Sequence, residues 1–355
     1  MAKKSYNLIG VMSGTSLDGV DLAFVKISTK PQYTADIVTA ITVPYTRAWE
    51  QKLKVAIDQS PEELALLNEE YTDYLGQCIS QFIDDNNIKN LDAVCSHGHT
   101  ILHQPEAGFT LQIGNLPKLA TVINQRVVCD FRVQDVALGG QGAPLVPIGD
   151  QLLFSQYDYC LNLGGFANVS SQKDGNRLAY DICPVNVVLN IYAQVLGEPY
   201  DNGGAFAKAG RINSNLLAQL NALPYYKESA PKSLGMEWVH SHILPLLEEA
   251  HSDPMNILAT FTEHVAMQLA AQFTVRSKVF VTGGGAFNSY LLERLAFHKA
   301  VNIVLPESKL IEFKEALIFG LLGLLKLEGA INCLSSVTGA RKDHSSGIVY
   351  HPNQG

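Results

Sequence analysis

The chain has 355 residues, a formal net charge of −8, 47% hydrophobic residues and 17% charged residues. This length is sufficient for two domains that each bury their own core, and the composition is that of a globular protein. The negative charge and the lack of a Lys/Arg block argue against nucleic acid or an anionic membrane as a partner. The first residues lack the apolar segment of a signal peptide, and the longest apolar run, 316–325, is too short to span a bilayer. Six cysteines without Cys-x-x-Cys pairs predict reduced thiols and a cytoplasmic location.

The first part of the chain predicts strands followed by helices. Apolar and polar residues alternate over 20–27, which is typical of a strand. Ser60-Pro-Glu-Glu starts a predicted amphipathic helix of about 25 residues, because serine caps helices and proline suits their first position. The remaining elements expected here are strands at 6–10, 36–43 and 91–95, a helix at 46–58, and Ser96-His-Gly-His-Thr100 as a polar exit from the last strand.

The pattern starts again near residue 158 with a strand, a glycine turn and a second strand. The elements expected after it are a strand at 178–182, helices at 185–196, 211–222, 238–250 and 254–277, a strand at 279–281 that ends in Thr282-Gly-Gly-Gly285, a helix at 288–297, a strand at 301–304 and a helix at 312–328. This repeat predicts two similar α/β domains that face each other across a cleft. We expect domains at 1–134 and 135–335, with the tail 336–355 packing back on the first domain.

The polar turn between the first two strands, Gly10-Val-Met-Ser-Gly-Thr-Ser-Leu-Asp-Gly-Val-Asp21, predicts a phosphate site. Backbone N–H groups and hydroxyls in such a turn suit phosphate oxygens, and Mg²⁺ held by Asp18 and Asp21 through water would offset the repulsion from these carboxylates. The predicted phosphate ligands are Ser13, Gly14, Thr15, Ser16, Leu17, Asp18, Gly19, Val20 and Asp21. A P-loop is excluded because Val20 and Asp21 replace its lysine and Ser/Thr. The alternative is a plain hairpin turn.

Motifs in a fixed order connect the chain with a known family. Two glycine turns and a late Gly-Gly-Gly resemble the actin/hexokinase/Hsp70 ATPase superfamily. The ordered set resembles the anhydro-N-acetylmuramic acid kinases over nearly the whole chain. Its members are Gly10–Asp21, Ser96-His-Gly98, Asp130-Phe-Arg132 with Asp135, Gly139-Gly-Gln-Gly-Ala-Pro-Leu-Val-Pro147, Leu161-Asn-Leu-Gly-Gly165 with Asn168, and Asp201-Asn-Gly-Gly204.

This resemblance implies a reaction and its cofactors. ATP and water would act on 1,6-anhydro-N-acetylmuramic acid in cell-wall recycling, opening the anhydro ring and phosphorylating O6, with Mg²⁺ required and a homodimer as the assembly. Two hairpin turns would hold the ATP phosphates, and the third loop would hold the nucleoside. In the second half, the residues implied to bind ATP are Gly164, Gly165, Asn168, Gly283, Gly284, Gly285 and Asn288.

The resemblance also implies a catalytic base and a set of sugar contacts. The base is Asp181, in Asp-Ile-Cys-Pro-Val-Asn186, where the family pattern is Asp-Thr-Gly-Pro-Gly-Asn. Without the resemblance, the favoured interpretation of Asp181 is a strand-end aspartate that caps the next helix. The implied sugar contacts are His97, Arg132, Asp135, Asn186 and Glu315, with Arg132 facing the lactyl carboxylate and Asp135 orienting Arg132 or the sugar.

For several of these residues, interpretations other than substrate binding stay open. His97, His99 and His103 can be structural or can hold a metal. Arg132 can form a surface or interdomain salt bridge, and Glu315 can be a first-turn helix charge. Three other functions also remain open: a hydrolase that uses paired carboxylates on a glycosidic bond, a sugar-binding regulator with a decayed ATPase site, and a kinase for a free sugar hydroxyl.

Overall fold

A computed structural model describes residues 4–14 and 17–352. The chain divides into two compact units: unit 1 is Met1–Leu153 with Phe313–Gly355, and unit 2 is Phe154–Glu312. This division differs from the expected one, because residues 135–153 and 313–335 belong to unit 1. Buried contacts explain the difference: Asp150 pairs with Lys314 at 2.6 Å, and the Asp135 carboxylate accepts a hydrogen bond from Thr338 at 2.8 Å.

Twelve strands and fourteen α-helices make up the described chain. The strands are β1 (Ser5–Ser13), β2 (Gly19–Ser28), β3 (Thr34–Pro44), β4 (Ala93–Gln104), β5 (Phe109–Ile113), β6 (Val127–Cys129), β7 (Tyr159–Leu163), β8 (Phe166–Lys173), β9 (Asn176–Pro184), β10 (Lys278–Thr282), β11 (Asn302–Val304) and β12 (Ile348–Tyr350). The helices are α1 (Arg47–Val55), α2 (Pro61–Asp85), α3 (Lys118–Val122), α4 (Val133–Ala137), α5 (Pro147–Leu153), α6 (Asn186–Val195), α7 (Ala205–Ala209), α8 (Ser214–Asn221), α9 (Met236–Trp238), α10 (Leu244–Glu249), α11 (Pro254–Gln272), α12 (Ser289–His298), α13 (Ser308–Leu327) and α14 (Ser335–Thr338). Across the residues described, none of the helices combines the length and apolar character needed to span a membrane.

The two sheets repeat one topology. In unit 1 the order is β12-β6-β4-β1-β2-β3, with β5 also paired to β4, and in unit 2 it is β11-β10-β7-β8-β9. Each unit begins with three antiparallel strands, and its first strand also pairs in parallel with a later strand, β4 or β10. The predicted duplication of an α/β domain is therefore confirmed within each unit. Parallel strands end at the same sheet edge, where α/β proteins commonly bind ligands.

The long helix α2 shows how local sequence fixes an element. The Ser60 hydroxyl accepts from the Glu63 backbone N–H at 3.3 Å, and the Glu63 carboxylate accepts from the Ser60 N–H at 2.8 Å. This capping box satisfies two backbone donors at the start of the helix, and Pro61 occupies the first turn. The predicted helix of about 25 residues is confirmed over Pro61–Asp85.

The prediction that 96–100 is a polar segment beyond the end of the strand is wrong. Residues Ser96–Thr100 lie inside β4, which continues to Gln104 and pairs with β1, β5 and β6. Gly98 has φ +74°, and a Cβ there would lie 2.5 Å from the Ile113 carbonyl oxygen, so glycine is required within this strand. Helix 254–277 also ends earlier than expected, at Gln272, and helix 238–250 contains a π-helical turn at Val239–Ile243.

Helix α13 packs directly on the sheet of unit 1 because glycines leave room for it. A Cβ on Gly10 would lie 1.7 Å from the Ala316 carbonyl oxygen, and one on Gly323 would lie 2.1 Å from the Cys95 sulfur. The helix backbone therefore lies in direct contact with β1 at Gly10 and with β4 at Cys95.

We therefore expect Gly10→Ala to destabilise unit 1. Overpacking of this kind costs about 1–3 kcal/mol, because the helix must move off the strand. The measurement is the urea midpoint of unfolding, followed by circular dichroism. Gly284→Ala is the matched control, since no atom lies within 4 Å of the added Cβ. Equal midpoints for the two variants would contradict the close packing.

Candidate active site

The end of strand β1 is fixed by a buried chain of hydroxyl groups. The Ser13 Oγ lies 2.6 Å from the Tyr45 hydroxyl and 2.7 Å from His99 Nδ1, and the Tyr45 hydroxyl lies 2.6 Å from that of Tyr71. Burial lowers the pKa of His99 to about 4, so its imidazole is neutral at physiological pH. The Ser13 hydroxyl, predicted to bind phosphate, has Tyr45 and His99 as hydrogen-bond partners. Its role here is to hold the base of the turn.

The turn itself combines backbone strain with close packing. Leu17 has φ +60° and its N–H donates to the Gly14 carbonyl at 3.4 Å. A Cβ on Gly19 would lie 2.4 Å from the Val43 carbonyl oxygen, and the Val20 side chain is fully buried in the core. Val20 therefore anchors the turn by packing. The predicted ligands Thr15 and Ser16 lie outside the described residues.

Of the two carboxylates predicted to hold the metal, Asp18 lies in the turn and Asp21 lies in β2. Asp18 is exposed, and Asp21 accepts a hydrogen bond from the Thr42 hydroxyl at 2.6 Å across β2 and β3. Oxygen-only donors next to a polar turn are the type that Mg²⁺ prefers. The donor set thus fits the predicted metal.

Arg132 and His97 form the centre of the predicted sugar site in unit 1. The Arg132 Nε donates to His97 Nε2 at 2.8 Å, and its Nη1 donates to the Gly142 carbonyl at 2.6 Å. Since arginine only donates, His97 Nε2 carries no proton, and Nδ1 donates to the Gly98 carbonyl at 2.8 Å. Burial first, and then the Arg132 charge, hold the pKa of His97 well below its usual value. A neutral histidine thus fixes the guanidinium.

Asp135 lies behind this pair and is fully buried. One carboxylate oxygen accepts from the Gly142 N–H at 2.7 Å, and the other accepts from Thr338 at 2.8 Å and Cys333 at 3.0 Å. Gly142 thus accepts from Arg132 through its carbonyl and donates to Asp135 through its N–H. Of the two roles predicted for Asp135, these contacts support the orientation of Arg132. They do not support contact with sugar.

Two further carboxylates of unit 1 are shielded from solvent, and one of them, Glu315, interacts with the charge of Arg132. Burial raises the pKa of Glu315, while the charge of Arg132 lowers it. Asp130 directly follows β6 with φ +61°, a left-handed conformation, and burial raises its pKa. Strained backbone of this kind collects at functional sites. Sequence reasoning used Asp130 only as part of a motif, although an aspartate directly after a buried strand was a signal for it.

In unit 2 the predicted base belongs to a row of polar residues across the sheet. Asn168 of β8 is paired with Asn162 of β7 on one side and with Asp181 of β9 on the other. Directly paired residues point to the same face of a sheet, so the three side chains share one face. A bulge between Ala167 and Asn168 sets this register.

Asp181 is held from the loop that follows α8. Its Oδ2 accepts from the Leu234 N–H at 2.9 Å, its backbone N–H donates to the Lys232 carbonyl at 3.0 Å, and its carbonyl accepts from the Tyr225 hydroxyl at 2.7 Å. Burial raises the pKa of Asp181, and the Leu234 N–H lowers it in part. Asp181 lies inside β9, not at its end, and α6 has no side-chain cap among the described residues. The helix-cap interpretation is therefore wrong.

The glycine turns of unit 2 lie together at the ends of β7 and β10. The Gly165 carbonyl accepts from the N–H groups of Val185 and Val187 at 2.8 and 3.3 Å, which joins the first turn to the start of α6. A Cβ on Gly283 would lie 2.6 Å from the Asn162 Oδ1, whereas Gly284 has open space around it. The second turn thus packs on β7 and exposes Gly284.

The polar residues beside these turns have separate positions. The Asn288 Oδ1 accepts from the Leu291 N–H at 3.0 Å and caps α12, so this predicted ATP contact has a structural role in unit 2. Asn186 is the first residue of α6, and its N–H faces the Gly164 carbonyl at 3.4 Å. Asn186 therefore belongs to unit 2, whereas the other four predicted sugar contacts belong to unit 1.

Comparison with known proteins identifies the family. The family model for anhydro-N-acetylmuramic acid kinase matches residues 6–352. The chain belongs to the anhydro-N-acetylmuramic acid kinase family. It is 34% identical to the enzyme of that name from Shewanella putrefaciens, over 96% of this chain and 97% of the relative. It is 35% identical to that of Gloeobacter violaceus (97% and 98%) and 36% identical to that of Xanthomonas oryzae pv. oryzae (96% and 96%).

One loop departs from the usual pattern of the anhydro-N-acetylmuramic acid kinases. Cys183 and Val185 replace glycines, and both side chains are fully buried in the core of unit 2. Val185 has φ −132°, so this chain needs no glycine there. The Cys183 and Val185 side chains fill the core behind this loop, and the Asp181 and Asn186 of the family pattern are retained.

The contacts of Asp181 were missed by sequence reasoning. Tyr225 and Leu234 lie 44 and 53 residues after it. The Lys232 ammonium lies 4.3 Å from the centre of the Tyr225 ring and donates to the Tyr225 carbonyl at 2.9 Å, which stiffens this loop. No local signal in 225–234 predicts that it would face a strand.

Proposed function

We propose that this chain is an ATP-dependent kinase that opens 1,6-anhydro-N-acetylmuramic acid with water and phosphorylates O6. The products are N-acetylmuramic acid 6-phosphate and ADP. Family membership supports the reaction class. The observation that carries the mechanism is the placement of Asp181, a partly buried carboxylate held by one backbone N–H beside the glycine turn of unit 2.

Asp181 is the proposed general base. Its Oδ2 is held by Leu234, and its Oδ1 has no hydrogen-bond partner within the described part of the chain, which leaves that oxygen for a water. The water gives its proton to Asp181 as its oxygen bonds to the anomeric carbon, and the electrons of the breaking bond go to O6. O6 then attacks the γ-phosphorus, and ADP leaves. The raised pKa of Asp181 makes it a stronger base than an ordinary aspartate.

The glycine turns are the proposed ATP sites, each within its own unit. Backbone N–H groups of turns suit phosphate oxygens, which supports this role for 14–19 and for Gly164 and Gly165. The exposed backbone at Gly284 suits the nucleoside. Mg²⁺ bound through Asp18 and Asp21 would neutralise phosphate charge. The turns and carboxylates of the protein would position the phosphates, the nucleoside and Mg²⁺.

A coupled assay of ADP release tests the proposal. With ATP and Mg²⁺, we expect ADP only when 1,6-anhydro-N-acetylmuramic acid is present. Sugar product without ATP would favour the hydrolase, and preference for the open-ring sugar would favour an ordinary sugar kinase. Sugar binding without ADP would favour a regulator.

Removal of either turn carboxylate is expected to change the dependence on Mg²⁺. Asp18→Asn and Asp21→Asn each remove a charged oxygen ligand, or one that orients bound water, and such losses cost about 10–100-fold in metal affinity. The measurement is the Mg²⁺ concentration at half-maximal activity. Asp36→Asn, an exposed carboxylate on β3, is the control. An unchanged Mg²⁺ profile in both variants would remove these residues from the metal site.

The assembly and location are also proposals. The resemblance supports a homodimer, which sedimentation velocity tests directly. All six cysteines are free and buried, which suits the reducing cytoplasm.

A further inference from the structure

A cluster of three metal-ligating side chains lies in unit 1, behind the Arg132–His97 pair. The ligand atoms of Asp135, Cys333 and His344 all lie within 4.8 Å of one another, and all three residues are buried. The Asp135 Oδ1 is 3.0 Å from the Cys333 sulfur and 3.5 Å from His344 Nε2. No step of the proposed reaction uses Cys333 or His344.

The backbone presents Cys333 and His344 as a matched pair. They face each other across an isolated antiparallel bridge, with N–H···O contacts of 3.1 and 3.2 Å in the two directions. Asp135 comes from α4, almost 200 residues earlier in the chain. Three ligands are thus fixed by two separate segments, which is the arrangement of a built site.

His344 supplies an independent sign that a cation belongs here. Its side chain is 3% exposed, and its Nε2 has no hydrogen-bond partner among the described residues. The Nδ1 faces the Lys342 carbonyl at 3.1 Å, and a carbonyl can only accept, so Nδ1 carries the proton. In the neutral ring, the Nε2 lone pair then points towards the Asp135 carboxylate. Two buried acceptors face each other, an unfavourable contact that a cation between them would relieve.

We propose that Asp135, Cys333 and His344 bind one divalent cation of the zinc class. Sulfur, imidazole and carboxylate together are the donors of zinc sites, whereas Mg²⁺ takes oxygen alone. A metal-bound histidine usually donates its other ring N–H to a carbonyl or carboxylate, and the Lys342 carbonyl is such an acceptor for His344 Nδ1. Aspartate and thiolate carry two negative charges, which a divalent cation balances, so the buried site becomes neutral.

Binding would displace the Cys333 thiol proton to solvent. Without metal, burial and the neighbouring Asp135 raise the pKa of Cys333, and its S–H donates to the Asp135 oxygen. With metal, the sulfur binds as thiolate and at least one proton is released. The cation would fasten residues 332–346 to the segment that carries Gly142.

Metal titration of the full chain tests this site. The protein, stripped with a chelator, is titrated with Co²⁺ alone and with Zn²⁺ alone. We expect one tight equivalent per chain, a thiolate-to-Co²⁺ charge-transfer band, and displacement of Co²⁺ by Zn²⁺ and not by excess Mg²⁺. Binding below one equivalent, or a cobalt spectrum without the thiolate band, would overturn the proposal in favour of a metal-free ion pair of Asp135 with protonated His344.

Variants and X-ray absorption complete the test. Cys333→Ser should abolish the charge-transfer band, and His344→Gln should weaken Co²⁺ binding at least about tenfold. Cys78→Ser, another buried cysteine of unit 1, should leave both unchanged. X-ray absorption of the zinc-loaded wild-type protein needs no variant, and one sulfur at about 2.3 Å with N/O at about 2.0–2.2 Å is expected. A zinc shell without sulfur excludes this site.

Discussion

Asp181→Asn should abolish turnover and leave nucleotide binding largely intact. Asparagine has nearly the same shape and can still accept the Leu234 N–H, so the contacts of the loop are preserved. It cannot take a proton from water, and loss of a general base typically costs about 10²–10⁴-fold in rate. The measurements are kcat from ADP release and the Kd for ATP by calorimetry.

Asp174→Asn is the matched control for this variant. Asp174 lies in the turn between β8 and β9, is exposed, and has φ +51°, a conformation that asparagine also tolerates. Both variants remove one carboxylate from the same three-stranded part of unit 2. Activity of Asp181→Asn within tenfold of the wild type would remove Asp181 from the mechanism.

The pH dependence of the wild type gives a second check on Asp181. A base must be deprotonated to act, so kcat/KM falls as pH drops through its pKa. Burial raises the pKa of Asp181, which places this acid limb at higher pH than for an ordinary aspartate. A profile that stays flat down to the range of an exposed aspartate would contradict the buried environment of the base.

The hairpins could be predicted from the sequence because their signals are local. Alternating side chains predict β2, and the glycine turns mark where β1 and β7 end. Ser96–Thr100 misled the same reasoning, because a polar run becomes a strand when distant partners supply the hydrogen bonds, as β1 and β5 do for β4. The tail strand β12 pairs with β6 over more than 200 residues of separation, and a partner so distant could not be predicted from three residues.

In the candidate site too, local motifs could be predicted from the sequence, whereas contacts between distant residues could not. Motif order predicts Asp181 and Arg132 as site residues, but the hydrogen bonds that hold them connect residues that are far apart in sequence. His97 lies 35 residues before Arg132, and Leu234 lies 53 residues after Asp181. Protonation follows from these contacts: the tautomer of His97 is set by an arginine donor and a neighbouring carbonyl. Only the folded chain shows that Asp135 supports Arg132 through the backbone N–H and carbonyl of Gly142.

Arg132→Lys should weaken recognition of the sugar carboxylate. We propose that the guanidinium, held by His97 and Gly142 through Nε and Nη1, presents its remaining N–H groups to the lactyl carboxylate. Lysine keeps the charge but loses the planar fork, so it cannot make both the positioning and the ligand contacts. Hydrogen bonds to charged groups are worth about 1.5–3 kcal/mol, which predicts a fall in kcat/KM of about 10–100-fold.

A substrate change separates this role from a structural one. The 1,6-anhydro sugar that lacks the lactyl group has no carboxylate for Arg132 to bind. Wild type and Arg132→Lys should therefore use it equally well, because variant and substrate remove the same interaction, as in a double-mutant cycle. The control is Arg126→Lys, an exposed arginine directly before β6, which should not distinguish the two sugars. If Arg132→Lys lost the same factor on both sugars, Arg132 would act through the fold of unit 1, because a lost carboxylate contact affects only the sugar that carries it.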